Sequence, residues 1–63
     1  MIESIGMQLK EARLGQKLTQ KVLAKKVGMT DKHLSEIERG KVVMTMEELE
    51  KLCGALGLAV KLV

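Results

Sequence analysis

Leu18 to Lys41 reads LTQKVLAKKVGMTDKHLSEIERGK, and the placement of its threonines and glycines decides the fold. Thr19 stands where a hydroxyl accepts a hydrogen bond from an unpaired amide two or three residues on, so a helix opens at Gln20. Leu23, Ala24 and Val27 fall on one stripe at the 3.6-residue period, with Lys21, Lys25 and Lys26 on other faces. Gly28 takes up a left-handed conformation at least cost and stops the helix, and Met29 is an apolar plug beneath the turn. Thr30 caps a second helix, Asp31 sits in its positive first turn, Leu34 and Ile37 form its buried face, and Gly40 ends it. Two short helices on either side of a glycine turn make a helix-turn-helix over residues 19–41. The outward residues of the second helix are Asp31, Lys32, His33, Ser35, Glu36 and Arg39. So polar a helix, held by two apolar anchors, has the form that enters the major groove of duplex DNA.

Outward from this unit, Ile5, Leu9 and Ala12 give a first helix from about Ile2 to Leu14, ended near Gly15, whose stripe covers the pair. Thr45-Met46-Glu47-Glu48 has the form of a capping box, and Leu49, Leu52, Cys53 and Leu56 continue as a stripe, so a fourth helix runs from Met46 to Ala55 or Leu56. Gly54 inside it costs up to about 1 kcal/mol relative to alanine. Either another backbone or subunit approaches closely there, or the helix end frays. After Gly57 the segment Leu58 to Val63 turns β-branched and apolar and reads as a strand. A solitary strand leaves its backbone groups unpaired, so Leu58, Val60, Leu62 and Val63 are expected to pair with the same segment of a second subunit. A fifth helix or a disordered tail is the alternative.

Sixty-three residues make one domain that buries only about 60% of its unfolded surface, so dimerisation is the available way to enlarge the core. One cysteine cannot form an internal disulfide, and Cys53 with His33 falls far short of a zinc ligand set. Neither metal nor cofactor is expected. No run approaches the length of a membrane span and no signal peptide is evident, so a cytoplasmic protein with no membrane partner is expected. The net charge is +3, and the nine basic residues between Lys10 and Lys41 face only four acidic ones, which concentrates positive charge on the helix-turn-helix. The absence of Phe, Trp and Tyr argues against the base stacking of common single-strand and RNA binders.

Ala24, Gly28, Leu34, Ile37 and the string Ile37-Glu38-Arg39-Gly40-Lys41 together resemble the Cro/C1-type (Xre) family of helix-turn-helix transcriptional regulators, from about Ile5 to Leu58. The Leu58–Val63 tail is similar to that of antitoxin-like members with a C-terminal strand. The resemblance implies an all-α, compact four-helix, lambda-repressor-like domain with a short C-terminal β-strand, binding double-stranded DNA as a homodimer. It implies that Lys32, Glu36 and Asp31 meet bases, although acids replace the commoner Gln, Arg, Ser or Asn at two of these positions and Asp31 serves the helix dipole equally well; His33, by its outward position, is expected to meet a base edge or a phosphate. It implies that Gln20, Thr30, Ser35, Arg39 and Lys41 meet phosphates. Arg13 and Glu38 match a partly buried ion pair joining the first and third helices, which assigns Glu38 to structure.

Four other readings stand beside a repressor. An antitoxin would bind a toxin protein and autoregulate its operon, and a controller of a restriction system would regulate in the same way. An enzyme is not expected: no nucleophile-base pair, phosphate-binding glycine loop or metal set is present. A purely structural helical domain would leave Lys32 and Glu36 without a task.

Overall fold

Three threonines begin three of the four helices, each by the same local chemistry. In the computed structural model, which describes residues 5–58, Thr19 Oγ1 accepts from the Val22 amide at 3.1 Å and opens α2 (Gln20–Val27). Thr30 Oγ1 accepts from the His33 amide at 3.1 Å and opens α3 (Asp31–Glu38). Thr45 Oγ1 accepts from the Glu48 amide at 3.1 Å, and Glu48 Oε1 accepts in return from the Thr45 amide at 2.9 Å, the reciprocal box that opens α4 (Met46–Leu56). Gly28 and Gly57 end α2 and α4 with φ of 74° and 71°, in the left-handed region that glycine enters most cheaply.

The first helix ends at Gly15 as expected, and the chain reverses just beyond it. α1 (Ile5–Gly15) runs through Gly15, and the left-handed residue is Lys17, with φ of 59°. The Leu18 amide returns to the Arg13 carbonyl at 3.1 Å and the Lys17 amide to Leu14 at 2.9 Å, so the reversal is completed two residues after the glycine. The expected start near Ile2 lies outside the described residues, as does the tail beyond Leu58 with Val60, Leu62 and Val63. The described residues are all-α, with no strand among them.

The apolar stripes meet in one core of Leu9, Leu23, Ala24, Leu34, Ile37, Leu52, Cys53 and Leu56, with Leu23, Leu34 and Leu52 fully buried. Val27, Met29 and Leu49 pack against its edge. α1 and α2 each pack against both α3 and α4. Ile5 does not join the core: it is exposed, and the buried line of α1 is Gly6, Leu9 and Arg13. A Cβ on Gly6 would stand 2.1 Å from the Ile37 carbonyl oxygen, so a glycine is what allows α1 to cross the end of α3. At Gly54 no close approach is seen among the described residues: an added Cβ meets nothing of them within 4 Å. Burial raises the pKa of the Cys53 thiol, so it serves as a small core residue. No helix of the described residues is long and apolar enough to cross a membrane.

Candidate nucleic-acid interface

With Leu34 and Ile37 fixed in the core, helical periodicity distributes the rest of α3. Lys32, Glu36 and Arg39 fall opposite those anchors, Ser35 lies beside them, and His33 and Asp31 fall on the two flanks. Burial follows this arrangement. Lys32, Arg39 and Asp31 are exposed, Glu36, Ser35 and His33 are half-buried, and Glu38 lies inside. The outer face of α3 is therefore polar and open, with exposed Thr30 at its start and exposed Lys41 just beyond its end.

That face is held from behind by a buried polar hub. Arg13 donates from Nε to Glu38 Oε2 at 2.7 Å and from Nη2 to Oε1 at 3.1 Å, with the side chains 6% and 1% exposed. Arg13 Nη1 donates to the Leu18 carbonyl at 2.8 Å, so one guanidinium fixes the end of α1, the entry to α2 and the end of α3. Gln20 Nε2 adds a bond to Glu38 Oε1 at 2.9 Å. Gln20 thus leans inward on Glu38, and what α2 offers an anion is chiefly the free amides of its first turn. No buried side-chain polar atom lacks a partner among the described residues.

At the opposite end of α3, His33 turns to α4 rather than straight outward: its Nε2 lies 2.5 Å from Glu48 Oε2. Glu48 is held below the ordinary carboxylate range, first by the Thr45 amide and then by the His33 side chain. The expected set therefore divides. Thr30, Asp31, Lys32, Ser35, Glu36, Arg39 and Lys41 share the outer side or its rim, whereas Gln20 and His33 are engaged with the protein.

Sequence reasoning missed three supports: Gly6, Glu48 as the partner of His33, and Gln16, whose Nε2 donates to the Leu56 carbonyl at 2.6 Å. Gly6 carried a signal, because a glycine three residues before Leu9 on the same stripe marks a close approach. The position of His33 on a flank of its helix carried another. Among the described residues, no cluster of side chains could hold a metal ion.

A helix-turn-helix family profile matches residues 9–62. The chain belongs to the Cro/C1-type helix-turn-helix family. It is 37% identical over 57 residues to an immunity repressor protein of Bacillus phage phi105, an alignment covering 90% of this chain and 40% of that protein. It is 38% identical over 60 residues to an uncharacterized HTH-type transcriptional regulator of Sinorhizobium fredii, covering 95% of this chain and 31% of that one. The chain thus spans well under half the length of either relative.

Proposed function

We propose that this chain binds double-stranded DNA in a sequence-specific manner and regulates transcription, acting as a repressor in the cytoplasm. The observation that carries the reading is the open polar face of α3, with Lys32 exposed at its outermost position opposite buried Leu34 and Ile37. Lys32 donates to guanine O6 and N7, and Glu36, one turn on, accepts from cytosine N4. Thr30 keeps a hydroxyl proton to give a phosphate while its oxygen caps α3. Arg39, Lys41, Ser35 and the α2 first turn around Gln20 meet the backbone on either side. Asp31 on the flank serves the helix dipole or a base edge. The relatives' names, an immunity repressor and a transcriptional regulator, support the same reading.

The proposed working unit is a homodimer paired through Leu58, Val60, Leu62 and Val63. Such a dimer sets two recognition helices about 34 Å apart and reads an inverted repeat with half-sites roughly 10 base pairs apart. Bound near a promoter it excludes polymerase. Each phosphate contact releases counterion, so in a titration with labelled duplex log K is expected to fall by about 0.9 per contact for each decade of salt. A flat salt response rejects this function.

An antitoxin reading adds a protein partner. The apolar groove lined by Ile5, Val42, Val43, Met44 and Met46, with Val43 95% exposed, favours it. A stable complex with the product of an adjacent gene would establish that second task; free behaviour in its presence would remove it.

A further inference from the structure

The geometry points to Glu48 as a positioning residue for the recognition helix, acting through His33 to fix the turn of α3 that carries the base-facing side chains. This inference rests on the DNA-reading function proposed above. The two ends of α3 are held very differently. Its C-terminal end is locked by Glu38 to Arg13 and Gln20. Its N-terminal end, where a recognition helix meets bases, has its own Thr30 cap and one tie across to α4. Among the described residues the His33–Glu48 contact is the only side-chain hydrogen bond joining α3 to α4, and the extensive packing of both helices is against α1 and α2 instead.

Glu48 divides its two oxygens between two tasks. Oε1 accepts from the Thr45 amide and hydroxyl and closes the α4 cap, while Oε2 faces His33 Nε2. Because a carboxylate only accepts, Nε2 must carry a proton. The capped start of α4 is thereby tied to the first turn of α3, one residue from Lys32. The depressed Glu48 pKa agrees with an oxygen pair engaged on both sides. His33 on this view is withdrawn from base contact, and its task is to hold Asp31 and Lys32 in register.

Glu48→Gln separates the two tasks, since glutamine also serves a capping box but presents an amide to His33. DNA affinity is measured for the wild type, Glu48→Gln, His33→Gln and the double variant on two duplexes: one that the wild type selects from a random pool and a scrambled version. With both side chains partly exposed at 37% and 24%, each single variant is expected to lose about threefold to tenfold on the selected duplex. The scrambled duplex is expected to be unaffected, and the double variant to be no worse than either single one. The chain has one histidine, so NMR of its ring reads the contact without DNA: an Nε2 resonance shifted by its carboxylate partner in the wild type, moved in Glu48→Gln toward that of an exposed histidine ring in a partnerless peptide.

Equal losses on both duplexes, or none, overturn the positioning role. Loss with His33→Gln but not with Glu48→Gln also overturns it, by showing that His33 touches DNA itself. If the wild type selects no duplex, the DNA-reading function fails and the positioning role with it, even where the ring nitrogen still reports the pair.

Discussion

Arg13 and Glu38, 25 residues apart in the chain, meet as a two-pronged ion pair with both side chains buried, at 2.7 and 3.1 Å. The pair connects α1 to the end of α3, and Gln20 joins it from α2. Truncating one partner leaves the other charge buried without compensation, which costs about 3–5 kcal/mol. A chain of this length has a total stability of only about 3–9 kcal/mol. Glu38→Ala is therefore expected to be largely unfolded or to melt far below the wild type, as followed by circular dichroism. An unchanged melting temperature would remove the hub from the account.

Two glycines in helices are expected to respond to alanine in opposite directions. At Gly6 the new methyl meets the Ile37 carbonyl oxygen, a rigid backbone atom, so α1 must shift off α3 at a cost of about 1–3 kcal/mol. At Gly54 nothing among the described residues stands within 4 Å, and alanine is expected to stabilise by about 0.5–1 kcal/mol through propensity alone. Denaturant titration of the two variants checks both signs. Destabilisation by Gly54→Ala would revive the reading that a second subunit approaches there.

Lys17 holds φ at 59°, a conformation that costs a residue with a side chain about 1–2 kcal/mol. Lys17→Gly relieves that strain and gives back part of the gain to the looser unfolded chain. A net rise of about 0.5–1 kcal/mol is expected, visible as several degrees in the melting temperature. No change would mean that the α1 to α2 turn is not strained.

Much of this was legible in the residues because it is local. Thr19, Thr30 and Thr45 act on amides three residues away, and Gly28 and Gly57 stop helices by their own backbone freedom, so a linear reading finds them. The Arg13–Glu38 pair came from the family resemblance, since nothing local joins residues 25 apart. What the sequence concealed depends on how helices cross. Gly6 matters because of where the Ile37 carbonyl lies, and His33 turns to Glu48 because α4 begins beside that flank of α3. Gly15 does end α1, but that the left-handed residue of the reversal is Lys17 depends on the Leu18 amide reaching Arg13, which the sequence does not show.

The capping carboxylate makes stability depend on acid. Folding holds the Glu48 pKa below its ordinary 4.5, first through the Thr45 amide and then through the His33 side chain, so the ionised form is favoured in the folded state. Its contribution is fully present above pH 4.5 and is lost as pH falls through the lower folded value. Melting temperatures recorded against pH are expected to separate the wild type from Glu48→Gln above pH 4.5 and to converge below it. Parallel curves would show that the carboxylate charge contributes nothing.

Base reading by the outer face of α3, as proposed, turns on Lys32. The most direct measurement is selection of bound duplexes from one random pool by the wild type and by Lys32→Ala, with affinities then taken on the recovered sequences. The wild type is expected to recover an inverted-repeat motif. Lys32→Ala is expected to show relaxed preference at one guanine in each half-site, with a loss of about 1–3 kcal/mol there and none elsewhere. Recovery of the same motif by both proteins, or of no motif by either, would contradict base reading by this face.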